Sequence, residues 1–207
     1  MIRSSFICSA LFISTLFGVS AQATELEVVK DIIGIHQQDA RRILGREIGL
    51  IIRQTNEAPN AHASFLGPNN GPLLTYYSSL LQLNEDDDVV TVVCHELGHF
   101  LGSRAYGKTQ IGNAIESEAD YFAGKCGVRY YQMKRGMSLS AAQQEISENA
   151  RKSFENLYEV RIDPNQARHQ VYPGINQKYS PPPCRVLTVI HGAMGWKRPA
   201  CWYNPNL

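Results

Sequence analysis

The feature that most constrains this chain is the run His95-Glu-Leu-Gly-His99, inside a mostly apolar stretch from Val89 to Leu101. The stretch predicts a buried helix, on which residues i and i+4 share a face with Cβ atoms about 6 Å apart. His95 and His99 can therefore each place a ring nitrogen about 2 Å from one zinc ion. Glu96 lies beside the first histidine, where it can act as general base on a water molecule at the metal. The alternative is a pair of surface histidines, which the core-like flanks disfavour.

A second acidic motif, Glu116-Ser-Glu-Ala-Asp120, follows near the predicted start of another helix, from Ala114 to about Arg135. A catalytic zinc needs three protein ligands and one open position, which two histidines and one carboxylate satisfy. Glu116 and Asp120 are i,i+4 neighbours, so both can face the first helix. The inner of these two carboxylates would be the third ligand, and the outer one would accept the free N–H of a zinc-bound imidazole. Taken alone, the cluster would be ordinary acids at a helix N-terminus.

Together, these residues resemble the HExxH and ExxxD motifs of the gluzincin metallopeptidases, in particular the M48 family of zinc proteases. Upstream, Asn60-Ala-His-Ala63 is similar to the segment that precedes that family's edge strand, and Gly71 to Leu81 is similar to that strand and the start of the next helix. The resemblance covers about residues 56 to 130. The gap between the two metal motifs is shorter than in many members. The family's downstream His-Pro and Arg are matched only by Ser180-Pro-Pro-Pro-Cys-Arg185.

The resemblance implies a mostly helical α+β fold of the zincin type, with a small antiparallel sheet beside the HExxH helix. It implies one Zn2+ per chain, held by His95, His99 and Glu116, with Glu96 as the catalytic base and Asp120 behind the ligands. The implied function is that of an exported zinc-dependent endopeptidase, which hydrolyses peptide bonds of proteins and binds its substrate along the sheet edge. Two alternatives stay open. One is a zinc-stabilised, inactive or latent binding or chaperone-like module of the cell envelope, and the other is a zinc hydrolase of another substrate, such as a peptidoglycan amide.

Hydrolysis of a peptide bond passes through a tetrahedral oxyanion, and the sequence does not identify the residue that would stabilise it. The candidates are His191, Arg185 and Tyr106. Two further histidines, His36 and His169, are expected at the protein surface.

Residues 1–23 have the pattern of a secretory signal peptide. A short positive start, Met-Ile-Arg, precedes an apolar segment from Phe6 to Val19, and Ala21-Gln-Ala23 matches an A-x-A cleavage site. The apolar segment is too short to span a membrane, and we expect neither a lipid anchor at Cys8 nor a transmembrane segment in the mature chain. The sequence thus predicts an exported protein, periplasmic or secreted, in which residues 24–207 form a single metallopeptidase domain.

Four cysteines follow the predicted leader: Cys94, Cys126, Cys184 and Cys201. An even number in an exported protein suggests two disulfide bonds, for which three connectivities are possible. We favour a bond from Cys94 to Cys126, which would join the two metal-bearing helices, and one from Cys184 to Cys201. The other arrangements stay open at this point. No CxxC spacing occurs, which disfavours a cysteine metal site.

The charge of the chain argues against two classes of partner. The formal net charge is +1, and the predicted leader holds one arginine and no acid, so its removal would leave +1 minus +1, or 0. There is no basic stripe or long charge block, which disfavours nucleic acid and anionic membranes as partners. A protein or peptide substrate is the expected partner, and the oligomeric state stays open.

Hydrophobic periodicity and turn residues divide the rest of the chain into elements. Residues 25–55 predict one long or broken helix, with Gly34 as its weak point. The other predicted elements are strands at Ala63–Leu66 and Leu73–Tyr77, a helix from a capping-box-like start at Ser140 to Tyr158, a loop at Asp163–Pro183, and a helix at Cys184–Met194.

Overall fold

The computed structural model describes residues 16–54, 61–65, 71–79, 86–102, 116–168 and 180–202. Within these ranges the fold is α+β and mostly helical, as predicted. The helices are α1 (Leu16–Leu44), α2 (Asp86–Leu101), α3 (Glu116–Arg135), α4 (Leu139–Tyr158) and α5 (Pro182–Met194), and the strands are β1 (Gly49–Arg53), β2 (Ala61–Phe65) and β3 (Pro72–Tyr77). Two short 3-10 helices lie at Pro164–Ala167 and Ala200–Trp202. Across the described residues, every helix is too short or too polar to cross a membrane.

The three strands form one mixed sheet with the order β1-β3-β2. Strand β2 pairs with β3 in the antiparallel sense, from Ala61 opposite Tyr76 to Phe65 opposite Pro72. Strand β1 runs parallel to β3, so the prediction of a purely antiparallel sheet is wrong. Parallel neighbours need a long crossover connection, and here the chain between β1 and β3 includes β2.

The prediction of a helix across residues 25–55 is correct only in its first part. Helix α1 runs through Gly34 without a break, ends at Leu44, and is followed by strand β1. Gly45 ends the helix, because it adopts a φ of 71°, in the left-handed region that glycine tolerates. The side chain of Gln37 then bonds both the N–H and the C=O of Ile48, each at 2.9 Å, and so fixes the chain reversal into β1.

The predicted later helices are confirmed, with small changes at their starts. Helix α4 begins earlier than predicted, because Ser138 is the N-cap and its hydroxyl accepts the N–H of Ala141 at 3.3 Å. The predicted capping residue, Ser140, lies inside the helix. Helix α5 starts at Pro182, because proline is favoured in a first helical turn, where its missing N–H would have no partner.

Helices α2 and α3 pack unusually closely, and this contact positions the site. A Cβ atom added to Gly98 of α2 would lie 2.5 Å from the Cα and 2.7 Å from the carbonyl oxygen of Ala119 in α3. Only glycine allows this approach of the two backbones. A disulfide between Cys94 and Cys126, with Cα atoms 5.6 Å apart, joins the same two helices.

The second disulfide joins Cys184 of α5 to Cys201. Both predicted disulfide pairs are therefore confirmed. The first bond joins α2 to α3, and the second joins α5 to the C-terminal 3-10 helix.

The expectation that His36 lies at the surface is wrong. Its side chain is buried, with a ring centroid 5.4 Å from that of Phe122 in α3. It lies on the face of α1 that packs into the core, beside Ile32 and Ile33. Burial is the main cause that lowers its pKa, and Arg129 adds to the effect, so the pKa falls to about 4. His169 lies outside the described residues.

Candidate metal centre

Helix α2 places three ionisable side chains close together. His95, Glu96 and His99 each offer one ligand atom, and these atoms lie within 4.8 Å of one another. The two imidazole rings have centroids 4.9 Å apart and meet edge to face. Both histidine side chains are mostly buried, 13% and 18% exposed. This group could hold a metal ion. The set of ligands predicted from the sequence has the same two histidines, with Glu116 in place of Glu96.

The first residue of α3 completes the arrangement. One carboxylate oxygen of Glu116 lies 3.3 Å from Nε2 of His95, and the other lies 3.8 Å from Nε2 of His99. Ligand atoms placed 2.0–2.1 Å from a tetrahedral ion are about 3.3 Å apart. The distances from the Glu116 carboxylate to the two Nε2 atoms are close to this value, so the carboxylate lies where a third ligand of one small cation could bind.

Asp120 lies on the other side of His95. Its Oδ1 is 2.8 Å from Nδ1 of His95, and its side chain is only 1% exposed. Arg185 of α5 donates from Nε and Nη2 to the two oxygens of the same carboxylate, both at 2.8 Å. Asp120 therefore contacts His95 at Nδ1, while Glu116 contacts the same ring at Nε2; the role of Asp120 behind a zinc-bound imidazole stays a prediction.

Arg185 is itself held in place by aromatic residues of α4. Its Nη1 donates to the Tyr158 hydroxyl at 3.3 Å, and its guanidinium lies 4.7 Å from the Phe154 ring centroid. Burial would raise the pKa of Asp120, but Arg185 lowers it more, to about 2. Burial would likewise lower the pKa of Arg185, and Asp120 raises it instead. The pair is therefore charged across the ordinary pH range.

The electrostatic surroundings of His95 favour a positive charge on its ring or bound to it. Burial alone would lower the pKa of His95, but hydrogen bonds with Asp120 and Glu116 raise it to about 9. Burial would raise the pKa of Glu116, and His95 and His99 lower it. Because a metal ion binds only the unprotonated nitrogen of an imidazole, metal binding at Nε2 would be coupled to proton release.

Glu96 has a different environment from Glu116. Burial raises its pKa, against the opposing influence of His95 and His99. One of its oxygens accepts the backbone N–H of Ala63 in β2 at 2.7 Å. In an antiparallel pair, alternate residues direct their N–H groups away from the partner strand. The Ala63 N–H points away from β3, so Glu96 lies at the edge of β2 that no other described strand covers.

The three candidates for stabilising an oxyanion have different positions. Arg185 donates its hydrogen bonds to both oxygens of Asp120, and its Nη2 also lies 3.6 Å from a carboxylate oxygen of Glu116. His191 faces the C-terminal segment, where its Nδ1 is hydrogen-bonded to the Lys197 carbonyl oxygen and its ring meets Trp196. The structure thus brings Arg185 to the site and His191 to another surface, and Tyr106 lies outside the described residues.

Two parts of the site were not identified from the sequence. The hydrogen bond from Ala63 to Glu96 involves a backbone N–H, which no side-chain pattern reveals. The support of Asp120 by Arg185 links residues 65 positions apart. The sequence signal for the second contact was a weak match of Arg185 to a family motif, and that match gave no role for the residue.

No family model, no curated protein and no solved structure matches this chain.

Proposed function

We propose that this protein is an exported zinc-dependent endopeptidase of the gluzincin type, similar in its motifs to the M48 family. The observation that carries the proposal is the convergence of the Glu116 carboxylate on the Nε2 atoms of His95 and His99, at 3.3 and 3.8 Å. Asp120 supports this arrangement from behind His95, and Glu96 lies beside it. A base, three ligands and a supporting carboxylate are the parts that such an enzyme requires.

The chemistry of the donors favours zinc. Two imidazole nitrogens and one carboxylate oxygen leave the fourth position of a tetrahedral ion open, as in catalytic zinc sites. We assign the third ligand to Glu116 rather than Glu96, because Glu96 already accepts the Ala63 N–H while Glu116 faces both imidazoles. When bound, zinc supplies Lewis acidity, which polarises a carbonyl group and lowers the pKa of a water molecule to about 7.

Glu96 is the proton carrier in this proposal. Its pKa is raised by burial, which suits a carboxylate that takes a proton from water and passes it to the leaving amine. The hydrogen bond from Ala63 holds this carboxylate at the edge of β2 that faces away from β3. An extended peptide that pairs with that edge would bring its own backbone to the base, and main-chain pairing demands little of the substrate's sequence.

The protein would act outside the cytoplasm. It contains two disulfide bonds, which form and persist in oxidising compartments and are rare in cytosolic proteins. The predicted signal peptide at residues 1–23 is consistent with export to the periplasm or beyond.

The test compares zinc content and casein cleavage in the wild type and in Glu96→Gln. The variant should bind one zinc per chain and lose turnover by about 10²- to 10⁴-fold, because the base is removed and the ligands remain. Glu148→Gln is the matched control, since Glu148 is an exposed residue of α4, and it should cleave casein at the wild-type rate.

Three outcomes would count against the proposal. Unchanged hydrolysis by Glu96→Gln would refute Glu96 as the base. A wild type that holds zinc and cleaves no protein would favour the zinc-stabilised binding module. A wild type that binds no zinc would remove the basis of both functions.

A further inference from the structure

Residues 195–201 follow α5, and we call this segment the C-terminal strap. Hydrogen bonds and a disulfide hold it against helices α3 and α5. The Tyr121 hydroxyl of α3 donates to the Trp196 carbonyl at 2.7 Å. The Trp196 N–H donates to the His191 carbonyl at 2.9 Å, and the strap ends at Cys201, in the disulfide with Cys184. The strap therefore has a fixed position against the outer face of α3.

The strap also carries an ion pair between Arg198 and Glu118. Nη2 of Arg198 donates to one carboxylate oxygen at 2.6 Å, and Nε donates to the other. Glu118 is buried, with a side chain 2% exposed, whereas Arg198 is 26% exposed. The guanidinium also lies 4.7 Å from the Tyr121 ring centroid. The pairing is bidentate, which fixes orientation as well as distance.

The position of Glu118 connects this ion pair to the metal centre. Glu118 lies midway between Glu116 and Asp120, in the first turns of α3. Glu116 and Asp120 face α2, while Glu118 faces the strap. Glu116, Glu118 and Asp120 lie within five consecutive residues of α3, and a local opening of that segment would displace all three side chains together. A contact that fixes the first turns of α3 therefore also fixes Glu116.

We propose that Arg198 is a positioning residue for the metal centre, which holds the start of α3 through Glu118 so that Glu116 and Asp120 meet His95. Its relevance to zinc rests on the function proposed above. A buried carboxylate that loses a bidentate cationic partner is strongly destabilised. Without Arg198, the first turns of α3 would unwind to expose Glu118 to water, and Glu116 would move away from the two imidazoles.

Hydrogen exchange of the metal-free protein tests the positioning directly. The amides of residues 120–123 close the first turns of α3 by bonding to the carbonyls of residues 116–119. In Arg198→Ala these amides should exchange about tenfold faster or more, while those of residues 126–131 keep their protection. Arg129→Ala is the control, because it removes an arginine from a 2.6 Å ion pair with Asp39 farther along the same helix.

Zinc affinity is the second readout, measured by competition with a chelator. Arg198→Ala should bind zinc about 10–100-fold more weakly than wild type, as is typical when the support of a ligand is lost. The double variant Glu118→Gln with Arg198→Met removes both charges and should recover most of that affinity, because the buried carboxylate is removed together with its partner. Arg198→Lys keeps the positive charge, and its zinc affinity should lie between those of wild type and Arg198→Ala. It serves as the test variant if Arg198→Ala does not fold.

The outcomes distinguish this inference from the proposed function. Wild-type exchange at residues 120–123 in Arg198→Ala, or an equal loss of protection along all of α3, would overturn the positioning role. Failure of the wild type to bind zinc would overturn the proposed function, and the exchange data would still decide whether Arg198 holds the start of α3.

Discussion

Replacing Gly98 by alanine should separate α2 from α3 and disable the metal centre. The added Cβ atom would lie 2.5 Å from the Cα of Ala119 and 2.7 Å from its carbonyl oxygen. Carbon atoms in ordinary contact are about 3.5–4.0 Å apart. Both obstructing atoms belong to the backbone, so no side-chain rotation relieves the overlap, and the helices must move apart by about 1 Å.

Such a shift is large compared with the contacts of the site. The 2.8 Å contact between His95 and Asp120 would lengthen beyond about 3.5 Å, which is too long for the two groups to hold each other in place. Glu116 would move with the same helix. We expect zinc affinity to fall by about 10–100-fold and the free energy of unfolding to fall by about 1–3 kcal/mol, as in other overpacked interiors.

Gly34 in α1 provides the matched control. A Cβ atom there would meet nothing within 4 Å, and the residue is exposed in the middle of a helix. Gly34→Ala should therefore raise the free energy of unfolding by about 0.5–1 kcal/mol and leave zinc affinity unchanged. Urea unfolding and chelator competition measure the two quantities for each variant. Wild-type zinc affinity in Gly98→Ala would refute the argument that this helix contact positions the ligands.

Three further predictions concern Asp120, the Cys94–Cys126 disulfide and His36. Asp120→Asn should weaken zinc binding or slow turnover by about 10–100-fold while the chain stays folded; a variant equal to wild type in chelator competition would reduce Asp120 to a helix-start acid. Selective reduction of the Cys94–Cys126 bond, verified by peptide mapping, should lower both the melting temperature and the zinc affinity, because this bond joins the helices that carry the ligands. Unchanged zinc affinity would show that the bond contributes only to the stability of the fold. The pKa of His36 is 6.5 when unperturbed and about 4 in the folded protein, so the unfolded state binds this proton more readily. The contribution of neutral His36 to the free energy of unfolding is therefore fully present above pH 6.5. The free energy of unfolding falls by up to about 3 kcal/mol as the pH drops toward 4. Urea unfolding of His36→Leu should show a flatter dependence over that interval, and an identical pH dependence would contradict it.

The sequence predicted the parts of the site that depend on local helical geometry. His95 and His99 share a helix face because of their spacing, and so do Glu116 and Asp120. Once α2 and α3 form, these four side chains need only one helix contact to meet. That contact occurs at Gly98, and its importance follows from the backbone distance and not from any pattern in the sequence.

Features that depend on tertiary contacts were not predicted. The boundary between α1 and β1 is set by the αL conformation of Gly45 and by the hydrogen bonds of Gln37, whereas the aliphatic residues of both elements share one helical spacing. The burial of His36 depends on α3 packing against α1. The ion pair of Arg198 with Glu118 joins residues 80 positions apart, and an acid near a helix start gives no sign of its partner.

The coordination of zinc tests the central claim most directly. X-ray absorption of the zinc-loaded protein should give a four-coordinate ion, with nitrogen and oxygen neighbours at about 2.0–2.2 Å, including two imidazoles. The same measurement on Glu116→Gln should give a changed first shell or no stoichiometric zinc. An unchanged first shell in that variant, or sulfur neighbours at about 2.3 Å in the wild type, would contradict the assignment of His95, His99 and Glu116 as the ligands.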